Sequence, residues 1–116
     1  MALLAVAGSV IATASSAAAD TDAMDLSNCA FAKAPEIPDG ATATPEAMSA
    51  SATAVRSYMG AMQDSLDCLE SAEKGLGKDI TDEQKLMVTA AYNSGVDQLN
   101  TVAENYNRQV RAFKNR

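Results

Sequence analysis

The chain predicts an all-α fold: an antiparallel two-helix hairpin with an extended, Pro-rich N-terminal arm tied back by one disulfide. Two long stretches carry large apolar residues at alternating spacings of three and four, which is the period of a helix with one buried seam. A short glycine-containing link joins them, which makes them antiparallel neighbours. The two cysteines, Cys29 and Cys68, lie one in the arm and one late in the first stretch, so they name two places that must meet.

Residues 1–19 are Ala-rich and uncharged, and Ala17-Ala18-Ala19 puts small residues where a signal peptidase inspects the chain. This reads as a signal peptide cleaved near Ala19, with a periplasmic or secreted product. No Lys or Arg precedes the apolar run, so either the true start lies upstream or the amino terminus supplies the charge. A membrane anchor is the rival reading, but a spanning helix needs about 20 strongly apolar residues and this run is diluted by Ala, Ser, Thr and Gly. Leu26-Ser27-Asn28-Cys29 looks like a lipobox, yet Asn28 is large for its position and three aspartates separate Cys29 from the apolar run.

Residues 20–43 form an acidic arm. Ala34-Pro35-Glu36-Ile37-Pro38-Asp39-Gly40 holds two prolines and a Pro-Asp-Gly turn, which no helix accommodates, so the arm is extended and turns at its end. Residues 44–116 form the hairpin. Thr44 caps the first helix, Pro45 suits its first position and Gly75 is the predicted stop, giving a helix over about 45–74. Its seam is Met48, Ala52, Val55, Met59, Met62, Leu66 and Leu69. Beside it runs a stripe of mostly small residues, from Ala50 through Tyr58 and Ser65 to Cys68 and Ala72, fit to let the arm's backbone come close. Thr81-Asp82-Glu83-Gln84 is a capping box that opens the second helix, over about 82–113. There Tyr92, Leu99, Tyr106 and Phe113 recur every seven residues, with Val88, Val96, Val102, Ala103 and Val110 between them.

Aligning the seams about the link pairs Val55 with Leu99, Met59 with Val96, Leu66 with Val88 and Leu69 with Leu86, and sets Gly60 level with Gly95. Two helical glycines at one level, each costing about 1 kcal/mol against alanine, mark either a close crossing or a coincidence. The arm passes a test of reach. From Cys68 back to Pro45 is roughly 35 Å of helix at about 1.5 Å per residue. Cys29 to Thr44 spans roughly 46 Å at about 3.1 Å per residue. The arm can therefore fold back along the first helix and deliver Cys29 to Cys68.

The pattern Cys29, Pro35-Glu36-Ile37-Pro38-Asp39-Gly40-Ala41, Thr44-Pro45-Glu46-Ala47-Met48 and Cys68-Leu69-Glu70, with the ending Tyr106-Asn107-Arg108-Gln109-Val110-Arg111-Ala112-Phe113-Lys114, resembles a group of small exported proteins of Gram-negative bacteria. The resemblance spans nearly all of the chain after residue 19 and implies a fold and an address, but no activity. Locally, Ile80-Thr81-Asp82-Glu83-Gln84 is similar to the Leu-Thr-x-x-Gln motif of Spy-like periplasmic chaperones, which carry it twice. Here the second candidate, Ala43-Thr44-Pro45-Glu46-Ala47, has alanine where that motif has glutamine.

The chemistry is sparse. The chain has no histidine, so Ser-His-Asp and Cys-His arrangements cannot be built within it. Cys29 and Cys68 lack the close spacing that activates a redox pair, and read as a structural disulfide. Met59-x-x-Met62 offers thioethers that suit Cu(I), but the same spacing already describes core methionines. Asp64 with Asp67, Glu70 with Glu73 and Asp82 with Glu83 read as solvated helix faces, because glycoside hydrolysis needs a cleft that raises one carboxyl pKa. No catalytic, cofactor-binding or metal residues are assigned. The net charge of −6 disfavours nucleic acid. Arg108, Arg111, Lys114 and Arg116 crowd the end and are the candidate contact for an anionic partner or membrane surface, though cations there also suit the helix dipole. The expectation is a non-catalytic exported protein acting through a protein partner, the cell envelope or self-association as a dimer. The alternative is a Spy-like holdase for unfolded clients.

Overall fold

The computed structural model describes residues 24–116, so the expected signal peptide and the first residues of the arm lie outside the described residues. Helix α1 spans Pro45–Leu76 and helix α2 spans Asp82–Lys114, packed as an antiparallel hairpin. Both N-termini are capped as the sequence predicts. The Thr44 hydroxyl accepts from the Ala47 N–H, and Thr81 with Gln84 forms the complete reciprocal box. The end of α1 differs from prediction. The helix passes through Gly75, and Gly77 ends it at φ +53°, donating its N–H to the Lys74 carbonyl. Only the later glycine adopts the left-handed region where a Cβ is costly, so it is the stop.

Among the described residues, 24–43 of the arm, there is one short 3-10 turn, Ser27–Cys29, and the chain is otherwise extended to a turn at Asp39–Ala43. That turn is closed by the N–H groups of Thr42 and Ala43 on the Asp39 carbonyl, with the Ala41 N–H on the Asp39 side chain. The Cys29–Cys68 disulfide is formed, with Cα atoms 5.4 Å apart. The arm therefore runs back along α1 from its late part to its start, and Phe31, Ala32 and Ile37 pack into the groove between the helices.

The core falls into two groups. Cys29, Leu66, Leu69 and Val88 form one near the hairpin tip, and Val55, Tyr58, Met62 and Val102 form the other nearer the chain ends. Among the described residues, Met62 and Leu69 are the large side chains that are fully buried. The α1 seam is Met48, Ser51, Val55, Tyr58, Met62, Ser65, Leu66 and Leu69. Met59, expected in that seam, is 37 % exposed, and Tyr58 takes the place instead. The arm is the reason: it adds a third packing surface on one flank and rotates the buried direction toward it. The same rotation buries Ser51 and leaves Ala50, Ala54 and Ala61 of the small stripe exposed, so only Tyr58, Ser65 and Cys68 serve the arm.

On α2 the most buried residues are Val88, Gly95 and Val102, seven apart, while Tyr92, Leu99, Tyr106 and Phe113 are half-buried at the rim. Leu86, expected against Leu69, is 69 % exposed, and Val88 fills that place. The glycine crossing does not form. A Cβ on Gly60 would meet nothing within 4 Å. A Cβ on Gly95 would fall 2.7 Å from the Phe31 ring and 2.9 Å from a Leu66 methyl. Gly95 makes room for the arm's aromatic ring, not for a second helix backbone.

Candidate functional site

Two anchors and two flanks organise the surface. At the tip end of the arm, the disulfide is supported by Ser65, whose hydroxyl lies 2.9 Å from the Ala30 carbonyl and 3.1 Å from the Ala61 carbonyl and shares its proton between them. Asp25 accepts from the Ser27 N–H at 2.9 Å, and hydrogen bonding from Ser27 holds its carboxyl below the ordinary value. This short turn leads directly into Cys29, which is buried.

At the base, the turn at Gly40 seats on the last turns of α2. Its N–H donates to the Gln109 side-chain carbonyl at 2.9 Å. Arg116 donates to the Ala43 carbonyl at 2.6 Å and reaches the carbonyls of Gly40 and Ala41 at 3.5 Å. Its guanidinium also stacks over Phe113, 4.3 Å from the ring centre. Of the four cations predicted to meet an anionic partner, Arg116 is thus committed to the arm's main chain. Arg108, Arg111 and Lys114 are exposed on the last two turns of α2. Nothing in residue type separates Arg116 from its three neighbours. Its role becomes visible only when the arm's turn is placed beside it.

The arm divides the hairpin surface into a covered flank and an open one. On the covered flank a groove of about 500 Å³ runs beside the arm, lined by Ala34, Tyr58, Ser94, Asp97, Gln98 and Thr101 among others. The Tyr58 hydroxyl is buried there without a hydrogen-bond partner among the described residues, and burial pushes its phenol above the ordinary value. It therefore stays a neutral phenol across the physiological range. The sequence places Tyr58 in the small stripe, but nothing in the sequence indicates that its hydroxyl lacks a partner.

On the open flank, positions 92, 96, 99, 103, 106 and 110 share one side of α2 by helical spacing, and all are half-buried: Tyr92, Val96, Leu99, Ala103, Tyr106 and Val110. Ser94, Gln98 and Thr101, beside the arm, lie on the opposite side of the Gly95–Val102 line. Met59 and Ala52 continue the open flank on α1. At its tip end is a hollow of about 340 Å³ lined by Glu70, Glu73, Val88, Thr89, Tyr92 and Asn93. The Glu70 and Glu73 pair, which the sequence offers as a solvated face, thus borders an apolar strip. The other pairs, Asp64 with Asp67 and Asp82 with Glu83, are exposed.

Met62 is fully buried and Met59 is at the surface, so the two thioethers do not present one shared face. Among the described residues, no three His, Cys, Asp or Glu side chains come together in a metal-holding group. No helix among them is long and apolar enough to cross a membrane. Compared with family models, with curated proteins and with solved structures, the chain matches none.

Proposed function

We propose that this is an exported, periplasmic or secreted helical protein, without catalysis of its own, which acts by presenting its open flank to another protein. The observation that carries the reading is the strip from Tyr92 to Val110, apolar along its length and half-covered although the arm lies ready to cover a flank. A chain that needed only a closed core would lay its arm over the more apolar side. Here the arm lies instead along the side that carries Ser94, Gln98 and Thr101, which stay exposed and line the groove beside it. The disulfide supports the oxidising address, and the Ala-rich run at residues 1–19 supports a signal peptide cleaved near Ala19. The exposed Arg108, Arg111 and Lys114 fit the rim of a protein contact better than a membrane surface, because they are only three and no apolar face beside them is fully exposed.

The test is photo-crosslinking in intact cells with a photoreactive residue at position 99, and a control at position 90 on the far side of α2. Protein adducts from position 99 and none from position 90 are the expected result. A chain that yields no adduct from position 99 is not acting through this flank.

A second reading, a Spy-like holdase, draws on the first turns of α2. Leu86 is 69 % exposed and Met87 is 38 % exposed, directly after the Thr81–Gln84 box. Suppression of aggregation of a chemically unfolded client, lost in Leu86→Lys with Met87→Lys, would favour it over the first.

A further inference from the structure

The charge of the hairpin is as uneven as its two flanks. Among the described residues, the tip half, residues 24–30 and 62–95, holds eight carboxylates against only Lys74, Lys78 and Lys85. The base half holds five carboxylates against six cations, and Arg108, Arg111 and Lys114 follow Glu104 with no further acid. The open strip runs between these two ends. It is centred between Leu99 and Ala103, with the Glu70 and Glu73 hollow beyond one end and Lys114 beyond the other.

We propose that the hairpin pairs antiparallel with a second copy of itself through this strip. The proposal rests on the interaction reading above and names its partner. A two-fold axis between Leu99 and Ala103 sets Tyr92 of each chain against Val110 of the other. It brings Lys114 of each chain to the hollow at Glu70 and Glu73 of the other. Residues 92 and 110 are each about 13 Å from the axis at about 1.5 Å per residue, so both ends meet at once. The contact is self-complementary in shape and in charge, as a two-fold interface must be. A parallel pairing would set eight carboxylates against eight. Ala103 near the axis lets the two α2 backbones approach, and the half-buried aromatic and aliphatic rims on either side complete the four-helix arrangement that a lone hairpin lacks. Arg116 takes no part, since its guanidinium is held by the arm carbonyls.

The test is the solution mass of the oxidised protein by light scattering from micromolar to several hundred micromolar, at low and high salt. Twice the chain mass is expected, with affinity falling several-fold as salt screens the end contacts. Ala103→Glu should give a monomer with unchanged helical circular dichroism. Because a substitution at the half-buried Ala103 also tests folding, Lys114→Glu, on an exposed side chain, is the second variant. It should weaken pairing about tenfold through its two symmetric copies, and Glu70→Lys added in the same chain should restore it. A monomer at every concentration overturns the proposal, and so does a dimer indifferent to both Ala103→Glu and Lys114→Glu. The two readings fail separately. Position-99 adducts only to other proteins would overturn self-pairing and leave the interaction reading standing, whereas no adducts at all would sink both.

Discussion

The arm is fastened at both ends, and the two fastenings work by different physics. At the tip, Cys29 is joined to Cys68 across a sequence separation of 39 residues. A bond of that kind acts on the unfolded chain, by removing loop conformations, and is tolerant of what surrounds it. At the base nothing is covalent. The Gly40 turn is held by Gln109, by Arg116 and by the absence of a Cβ. That anchor acts wholly on the folded state and tolerates almost nothing. One protein thus holds the same segment by entropy at one end and by fit at the other.

The largest effect should come from breaking the tip anchor. Replacing both cysteines, Cys29→Ser with Cys68→Ser, should destabilise the fold by about 4 kcal/mol for a loop of this length, read from urea unfolding. The two ends of the arm should then loosen unequally. In that variant the Gly40 amide, bonded to Gln109, should keep its hydrogen-exchange protection relative to global unfolding. Equal loss of protection at both ends would mean that the base anchor has no strength of its own.

Breaking the base anchor should cost less but act more locally. A Cβ at Gly40 would fall onto the Gln109 carbonyl, 2.7 Å from its carbon and 3.0 Å from the Phe113 nitrogen. These are backbone atoms inside a helix and cannot step aside, so the turn itself must lift. Gly40→Ala should cost about 2 to 3 kcal/mol, in the range of overpacked sites, and should detach Arg116 from the Ala43 carbonyl. The disulfide should remain intact. A variant as stable as the parent would show that the turn is only loosely seated.

These two anchors also show why one was legible in the sequence and the other was not. A cysteine pair declares its partner by residue type, and reach along the chain showed that the arm could make the closure. The capping residues Thr44, Thr81 and Gln84 were legible for the same reason: each acts within one turn of itself. Gly40 read only as part of a Pro-Asp-Gly turn, which wants glycine whether or not a helix lies against it. Gln109 carried no signal, and Arg116 read only as one of four terminal cations that suit an anionic partner, since the partners of both are main-chain atoms some 70 residues away. The seam was readable to within one position. Choosing Met59 over Tyr58, or setting Leu86 against Leu69, follows from treating the hairpin as two helices, when the arm acts as a third packing element and turns the buried direction toward itself. The open flank followed from that correction: Tyr92, Leu99 and Tyr106 looked like the centre of a seam and proved to be its rim.

Between the anchors, two glycines give the smallest and most discriminating test of where the arm lies. In an exposed helix, glycine to alanine gains about 1 kcal/mol from backbone entropy. Gly60 is exposed and its added methyl would meet nothing within 4 Å, so Gly60→Ala should stabilise by about that amount. Gly95 lies under the arm, where the methyl would press on the Phe31 ring and the Leu66 side chain. Both neighbours are side-chain ends that can shift, so the crowding should cost about 2 kcal/mol and leave Gly95→Ala about 1 kcal/mol less stable than the parent. The two substitutions are chemically identical and sit in equally regular helix, so opposite signs can arise only from what covers them. In the cysteine-free background the tip of the arm is no longer tied. If Phe31 then leaves its place, the penalty at Gly95 should shrink toward the gain seen at Gly60. If the penalty persists unchanged, Phe31 is held by its own packing, and the disulfide only secures an arm that is already seated.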